Sequence, residues 1–296
     1  MLPPAGTRVS LRYRLPAGSV PPHTDVVGHV VSSAPVVEVR TRHGDVVAIA
    51  VEDVLAVRVV PEMPVRTSQI RNLEHAAALA WPGAEHEWLD GWLLRFGGGH
   101  TRRANSAVPL EAWASPATLP AIADWYAARG APALIAAPDR LLRLPEGIPA
   151  DGENVVMTAE PSPAATPAGV TIAARPDSAW RQVNRRNVPD DVLGAVVDGE
   201  VAFATVPGVA AARGAVTAAP DGTRWVGLSA VHVSDHARRR GSGRAICEAL
   251  LTWGADRGAT RAYVQVLADN VAARTLYEAM GFRTQHRSRY VDASSL

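Results

Sequence analysis

The chain has 296 residues, with thirty basic and twenty-nine acidic side chains, a net charge of +1, 47% hydrophobic residues and 20% charged ones. This is the balance of a soluble globular chain of about two domains, without the basic stripe of a general nucleic-acid or membrane-surface binder. Every basic residue is Arg and none is Lys, which excludes a lysine Schiff base and a P-loop lysine; the single Cys247 excludes an intramolecular disulfide and a Cys-built metal site.

Residues 1–62 read as a small SH3-like β-barrel. Short β-branched runs at 26–31, 36–40, 45–51 and 56–60 alternate with turn residues at 32–35 and 43–45. The N-terminus lacks the basic and apolar segments of a signal peptide, and no stretch of about 18 apolar residues is present, so the expected location is the cytoplasm. Pro61-Glu62-Met63-Pro64 reads as a linker, because two prolines so close break helix and ladder alike.

Residues 68–160 read as a second, α/β region. Ser68 is placed to cap a helix running to Trp81, with Ile70, Leu73, Ala77 and Ala80 on one face. An aromatic strand is expected from Trp88 to Phe96. Gly97-Gly98-Gly99 reads as a flexible hairpin or lid, and Asn105 and Ser106 as turn residues. A helix over 117–129 and strands at 133–137 and 154–158 follow, and the tryptophans are expected in the core. The small-residue, proline-rich stretch 161–167 reads as a connector. From Gly169 strands and helices alternate: strands at 170–174, 200–206, 209–217, 225–233, 262–267 and 282–291, with helices at 177–186, after Gly243, and at 270–280.

The strand 225–233 leads into Arg238-Arg239-Arg240-Gly241-Ser242-Gly243-Arg244, which opens a helix with Ile246, Ala249, Leu250 and Trp253 on one face. The first N–H groups of a helix lack internal partners and sit at the positive end of its dipole. Glycine there lets an anion approach the backbone, and Arg forks onto phosphate oxygens. The loop is not the dinucleotide fingerprint, since only Gly-x-Gly is present, and Walker chemistry fails without lysine. Cys247, on the following helix, reads as a small buried hydrophobe. A second motif begins 27 residues beyond Gly243: Asn270, Ala273, Tyr277, Gly281 and Phe282 at spacings 3, 4, 4 and 1. Asn270 is also a natural helix cap and Gly281 a natural helix stop.

The two motifs together, in this order and on these elements, resemble the GNAT superfamily of N-acetyltransferases. The match runs over about 169–296 and extends to the bacterial members that carry an SH3-like barrel first. The fold implied is a mixed, mostly antiparallel sheet with flanking helices, with 68–160 as a degenerate GNAT-like half. The resemblance implies acetyl-CoA as acyl donor, no metal, and a small-molecule or peptide amine as acceptor. It assigns Arg238, Arg239, Arg240, Gly241, Ser242, Gly243 and Arg244 to the diphosphate, Val231 and Val233 to the pantetheine arm, and Asn270 to the arm as well. Tyr277 is implied as the acid that protonates the leaving thiolate. The sequence departs from many relatives at the base: the inward positions of strand 225–233 are Gly227 and Ser229, and His232 points to the other face. Asp198, Glu200 and His286 remain as acid–base groups without a motif. The competing reading is an acyl-CoA-binding regulatory protein without transfer activity. A nucleic-acid role for the first sixty residues fails on their balanced charge and missing stacking platform.

Overall fold

A computed structural model describes residues 2–41, 44–60, 65–144, 147–149, 151–161, 167 and 169–296. The turn at His43, the linker at 61–64 and most of the connector at 161–167 lie outside the described residues. The chain divides into two compact units, Met1–Pro64 and Val65–Leu296.

The first unit is a barrel-like antiparallel sheet of β1 (Arg8–Arg14), β2 (His23–Ser32), β3 (Val36–Thr41), β4 (Val46–Ala50) and β5 (Val54–Val59). Its order is β4-β3-β2-β1-β5, and the sheet is not closed: among the described residues β4 and β5 form its two ends. Alternation buries Val9 and Leu11 of β1 against Val26, Val30, Val37, Val39 and Ile49. Strand β1 has no apolar run of its own, because Arg8, Arg12 and Arg14 alternate with its inward residues, and pattern reading passes over it.

The second unit begins with α1 (Thr67–Leu79), then β6 (Glu85–Leu89), β7 (Trp92–Phe96), β8 (Val108–Pro109), α2 (Leu119–Ala127), β9 (Leu134–Pro138) and β10 (Asp151–Ala159). It continues with β11 (Thr171–Ala173), α3 (Ser178–Asn184), α4 (Asp190–Leu193), β12 (Glu200–Val206), β13 (Ala210–Ala218) and β14 (Arg224–Val233). It ends with α5 (Ser242–Ala255), β15 (Arg261–Leu267), α6 (Val271–Ala279) and β16 (Arg283–Asp292). Strands β6, β7 and β8 form a small sheet. The others form one eight-stranded sheet, ordered β11-β12-β13-β14-β15-β10-β16-β9. The β14–β15 pair is parallel, as the α5 crossover requires, and the other pairings in this sheet are antiparallel. Stretches before 160 and after 169 therefore share one sheet: β10 pairs with β15 on one side and β16 on the other, and β9 is its edge.

Helix α5 lies on β12–β14, burying Ile246, Ala249, Leu250 and Trp253. Small residues set the closeness of that contact. A Cβ on Gly214 would come within 3.0 Å of Leu250, and one on Gly254 within 2.5 Å of Val226. Three local expectations change. The stretch 88–96 is not one strand but a hairpin, turned at Asp90 and Gly91, whose φ angles of 45° and 84° are those of a two-residue turn. Ser68 is not the cap of α1; Arg66 holds that position, with Gln69 Oε1 accepting its N–H at 2.8 Å, so the helix starts two residues earlier. Trp92 and Trp180 are fully buried, whereas Trp88 and Trp113 are 44% and 68% exposed.

Candidate active site

The parallel pairing of β14 and β15 runs from Trp225–Arg261 to Leu228–Val264 and stops there. The reason is in β14, where Ala230 takes φ 50° and the register against β13 jumps from Arg213–Ser229 to Ala211–His232. This bulge turns the end of β14 away from β15 and leaves that edge without a strand partner. A cavity of about 230 Å³ occupies the opening, walled by Ser229, Val231, Gln265, Asn270 and Tyr277 among others. Gly227, at the neck, is not a vacant base position. A Cβ there would lie 2.2 Å from Cζ of Tyr263, whose ring fills the space.

The arginine–glycine loop follows β14. Gly241 takes φ 82° at the N-cap of α5, with open space around it, so its backbone conformation requires glycine. The first helical hydrogen bond is Ala245 N–H to the Gly241 carbonyl at 3.0 Å, so the N–H groups of 242–244 head the helix without internal partners. A Cβ on Gly243 would meet both Val233 and Leu276 at 3.4 Å, so the head of α5 lies close to the end of β14 and to α6. The arginines divide. Arg238 pairs with Asp235 at 2.7 Å and donates to the Val233 carbonyl, and Arg244 pairs with Glu248 at 2.7 Å; Arg239 and Arg240 are exposed.

Tyr277 is 5% exposed and lines the opening. Burial first, then the neighbouring Cys247, hold its pKa well above that of an ordinary tyrosine. The same burial pushes the Cys247 thiol up to about 12, which makes it a neutral partner rather than a nucleophile. Asn270 caps α6, its Oδ1 accepting the Ala273 N–H at 3.1 Å, and also reaches the cavity wall. One residue thus fills the structural and the wall position together.

A larger cavity of about 540 Å³ adjoins the first, sharing Arg103, Asn154, Arg186, Ala230 and Leu267 with it. The first half of the unit supplies much of this wall, which the second-half motifs do not indicate. Asn105 holds the loop in place: its Oδ1 accepts from Gly97 and Gly99 at 2.9 Å each, and its Nδ2 donates to the His100 and Thr101 carbonyls. The glycine run is therefore a stapled turn rather than a free lid. Ser106 is buried and accepts from Arg95 at 2.8 Å. Beneath the wall, Trp81 stacks on Arg213, whose guanidinium carbon lies 4.2 Å from the ring. Arg213 is fully buried and donates to the carbonyls of Ala80, Leu193 and Ala195. Its isolated position in an apolar strand gives no sequence signal of that role.

The acid–base groups without a motif stay away from both cavities. Glu200 pairs with Arg257 at 2.8 Å, and buried His286 pairs with Glu74 at 2.8 Å. Asp198 and His232 line neither cavity. Among the described residues neither of these two cavities has an Asp or Glu on its wall.

Two family models match the chain: "Probable histone acetyltransferase Rv0428c C-terminal" over residues 67–291 and "Rv0428c N-terminal Sm-like domain" over 3–58. The chain is 49% identical over 295 residues, 99% of its length and 97% of the relative's, to "Probable histone acetyltransferase Rv0428c" of Mycobacterium tuberculosis. A stretch of 56 residues, 19% of this chain and 23% of the relative, is 38% identical to the N-acetyltransferase YobR of Bacillus subtilis. Two solved structures share the fold. A GCN5-related N-acetyltransferase from Kribbella flavida superposes with TM-score 0.50 at 18% identity, covering 78% of this chain and 96% of its own. A GNAT-family acetyltransferase from Novosphingobium aromaticivorans does so with TM-score 0.50 at 18% identity, covering 74% and 96%.

Proposed function

The chain belongs to the Rv0428c family of GNAT-type acetyltransferases, and from that premise we propose that it transfers an acetyl group from acetyl-CoA to a primary amine by direct attack in a ternary complex. The observation that carries this reading is the opening between β14 and β15, with a glycine-headed helix at one end and Tyr277 on its wall.

The residues present fit acetyl-CoA. N–H groups of 242–244, headed by Gly241, suit a diphosphate, with Arg239 and Arg240 exposed beside them. Arg238 and Arg244 are tied to Asp235 and Glu248 and shape the loop, while remaining close enough to raise its potential. The unpaired edge of β14 around Val231 and Val233 offers backbone groups to an amide-bearing arm, and Asn270 stands across the opening. When bound, acetyl-CoA supplies an acetyl group activated as a thioester. Backbone N–H groups at the bulge around Ala230 suit the developing oxyanion. Tyr277, kept protonated by burial, donates its phenolic proton to the departing sulfur.

The amine must arrive neutral. With no carboxylate on the walls of the two cavities among the described residues, the ammonium proton leaves to water before attack, and the proton shed by the amine as it attacks restores the Tyr277 phenol by way of water. The rate should therefore follow the pKa of the amine rather than that of an enzyme carboxylate. Calorimetry with acetyl-CoA on wild type and on Ser242→Glu tests the donor site. A carboxylate at the first helical position favours the helix dipole but occupies the diphosphate position. Micromolar binding lost in a folded Ser242→Glu protein is the expected result; equal binding by both proteins excludes this placement.

A further inference from the structure

The larger cavity is walled by cationic side chains and by no acidic one among the described residues. Arg102, Arg103 and Arg186 line it together with His100. Glu74 lines a separate small polar space of about 10 Å³ that shares Arg103 and Asn154 with the larger one. Glu74 is already committed to His286 at 2.8 Å. None of the loop residues 234–244, which suit the donor's diphosphate, lies on this wall, so its positive charge does not belong to that subsite.

A second observation points to a polar occupant. Asn184 is 4% exposed and lines the cavity. Its Nδ2 donates to the Ala230 carbonyl at 2.8 Å, while its Oδ1 has no hydrogen-bond partner. Arg103 Nε is likewise buried and unpaired. Buried polar atoms without partners cost free energy, and the two residues that carry them stand beside Asn154, Asn187 and Thr101 on a largely polar wall. The cavity's volume is that of a small-molecule site.

We infer that the acceptor is a small amine that also carries an anionic group, in the simplest case a carboxylate. Arg186, with Arg103, binds the anion, and the amine faces the opening at Ala230. A polycationic acceptor, such as a lysine-rich tail or a polyamine, would set like charges together in a partly desolvated space. The inference rests on the acetyl-transfer reading and specifies its acceptor.

Arg186 is exposed and sits in the loop after α3, so its removal should leave the fold intact. The experiment measures CoA release from acetyl-CoA with matched amines: amino acids of increasing chain length and their amides, phosphoethanolamine and ethanolamine, spermidine, and a lysine-rich peptide. Acetyl-CoA binding is followed in parallel by calorimetry. The expected result is turnover of an anionic amine at least tenfold above its neutral partner. In Arg186→Gln the acceptor KM should rise tenfold or more, with kcat and acetyl-CoA affinity nearly unchanged, and Arg186→Lys should recover part of the loss. The carboxylate and phosphate arms show which anion is preferred. Equal or better turnover of the neutral or polycationic amines overturns the inference and leaves acetyl transfer standing. Intact acetyl-CoA binding without turnover of any anionic amine also overturns it. Absent acetyl-CoA binding removes the reading beneath it.

Discussion

Tyr277 and Cys247 form a pair whose chemistry follows from burial. Both are displaced upward, so the phenol and the thiol stay protonated at neutral pH. Tyr277→Phe should lower kcat about a hundredfold or more, the range for one positioned acid, with the acetyl-CoA KM nearly unchanged in steady-state assays. A comparable loss in KM alone would make Tyr277 a packing residue. The same physics gives an alkaline limit to stability. Burial raises Tyr126, Tyr263 and Cys247 to about 12 from ordinary values of 10.0 and 9.0, and raises Tyr277 as well. The folded state therefore holds protons that the unfolded chain releases first. Their stabilising effect is complete below about pH 9 and is lost as pH rises toward about 12. Denaturation midpoints measured across that range should fall, and less steeply in Tyr263→Phe. The arginines were legible as residues suited to anions. The pairing of Arg244 with Glu248 follows the helix period and that of Arg238 with Asp235 the loop geometry, whereas the cavity that Arg103 and Arg186 line depends on contacts distant in sequence.

At the scale of elements, the neck of the site is set by two strands that must fit side by side and then part. Gly227 admits the Tyr263 ring, and the bulge at Ala230 opens the edge beyond it. Gly227→Ala should cost about 2–3 kcal/mol through overpacking, read as a lowered denaturation midpoint. Shortening the neighbour in Gly227→Ala/Tyr263→Leu should recover part of that loss, since the two changes act on one contact. No recovery would mean that the strand itself, rather than the ring, rejects the methyl group. Strand and helix periods located most elements from β9 to β16, together with the loop that heads α5. The Asp90–Gly91 hairpin lay hidden inside one continuous aromatic run. The start of α1 was hidden too, because a glutamine reaching back to the Arg66 N–H caps it in place of the serine.

At the scale of the molecule, the two units have separate cores, and the first buries Val9, Leu11 and Val37 within its own sheet. Residues 65–296 expressed alone should fold and bind acetyl-CoA with the affinity of the full chain; a marked loss would assign the first unit a part in donor binding. Among the described residues no helix is long and apolar enough to cross a membrane. The sequence by itself located the residues proposed for the donor half of the second unit, because a glycine-headed helix start and a helix-borne tyrosine depend on residues close together in the chain. Only the tertiary structure decided which residues wall the larger cavity, the proposed acceptor side. Arg103, Asn154, Asn184 and Arg186 come from a loop, a strand, a helix end and the loop beyond it. They meet because β10 is inserted between β15 and β16, a pairing across more than a hundred residues that no local pattern records.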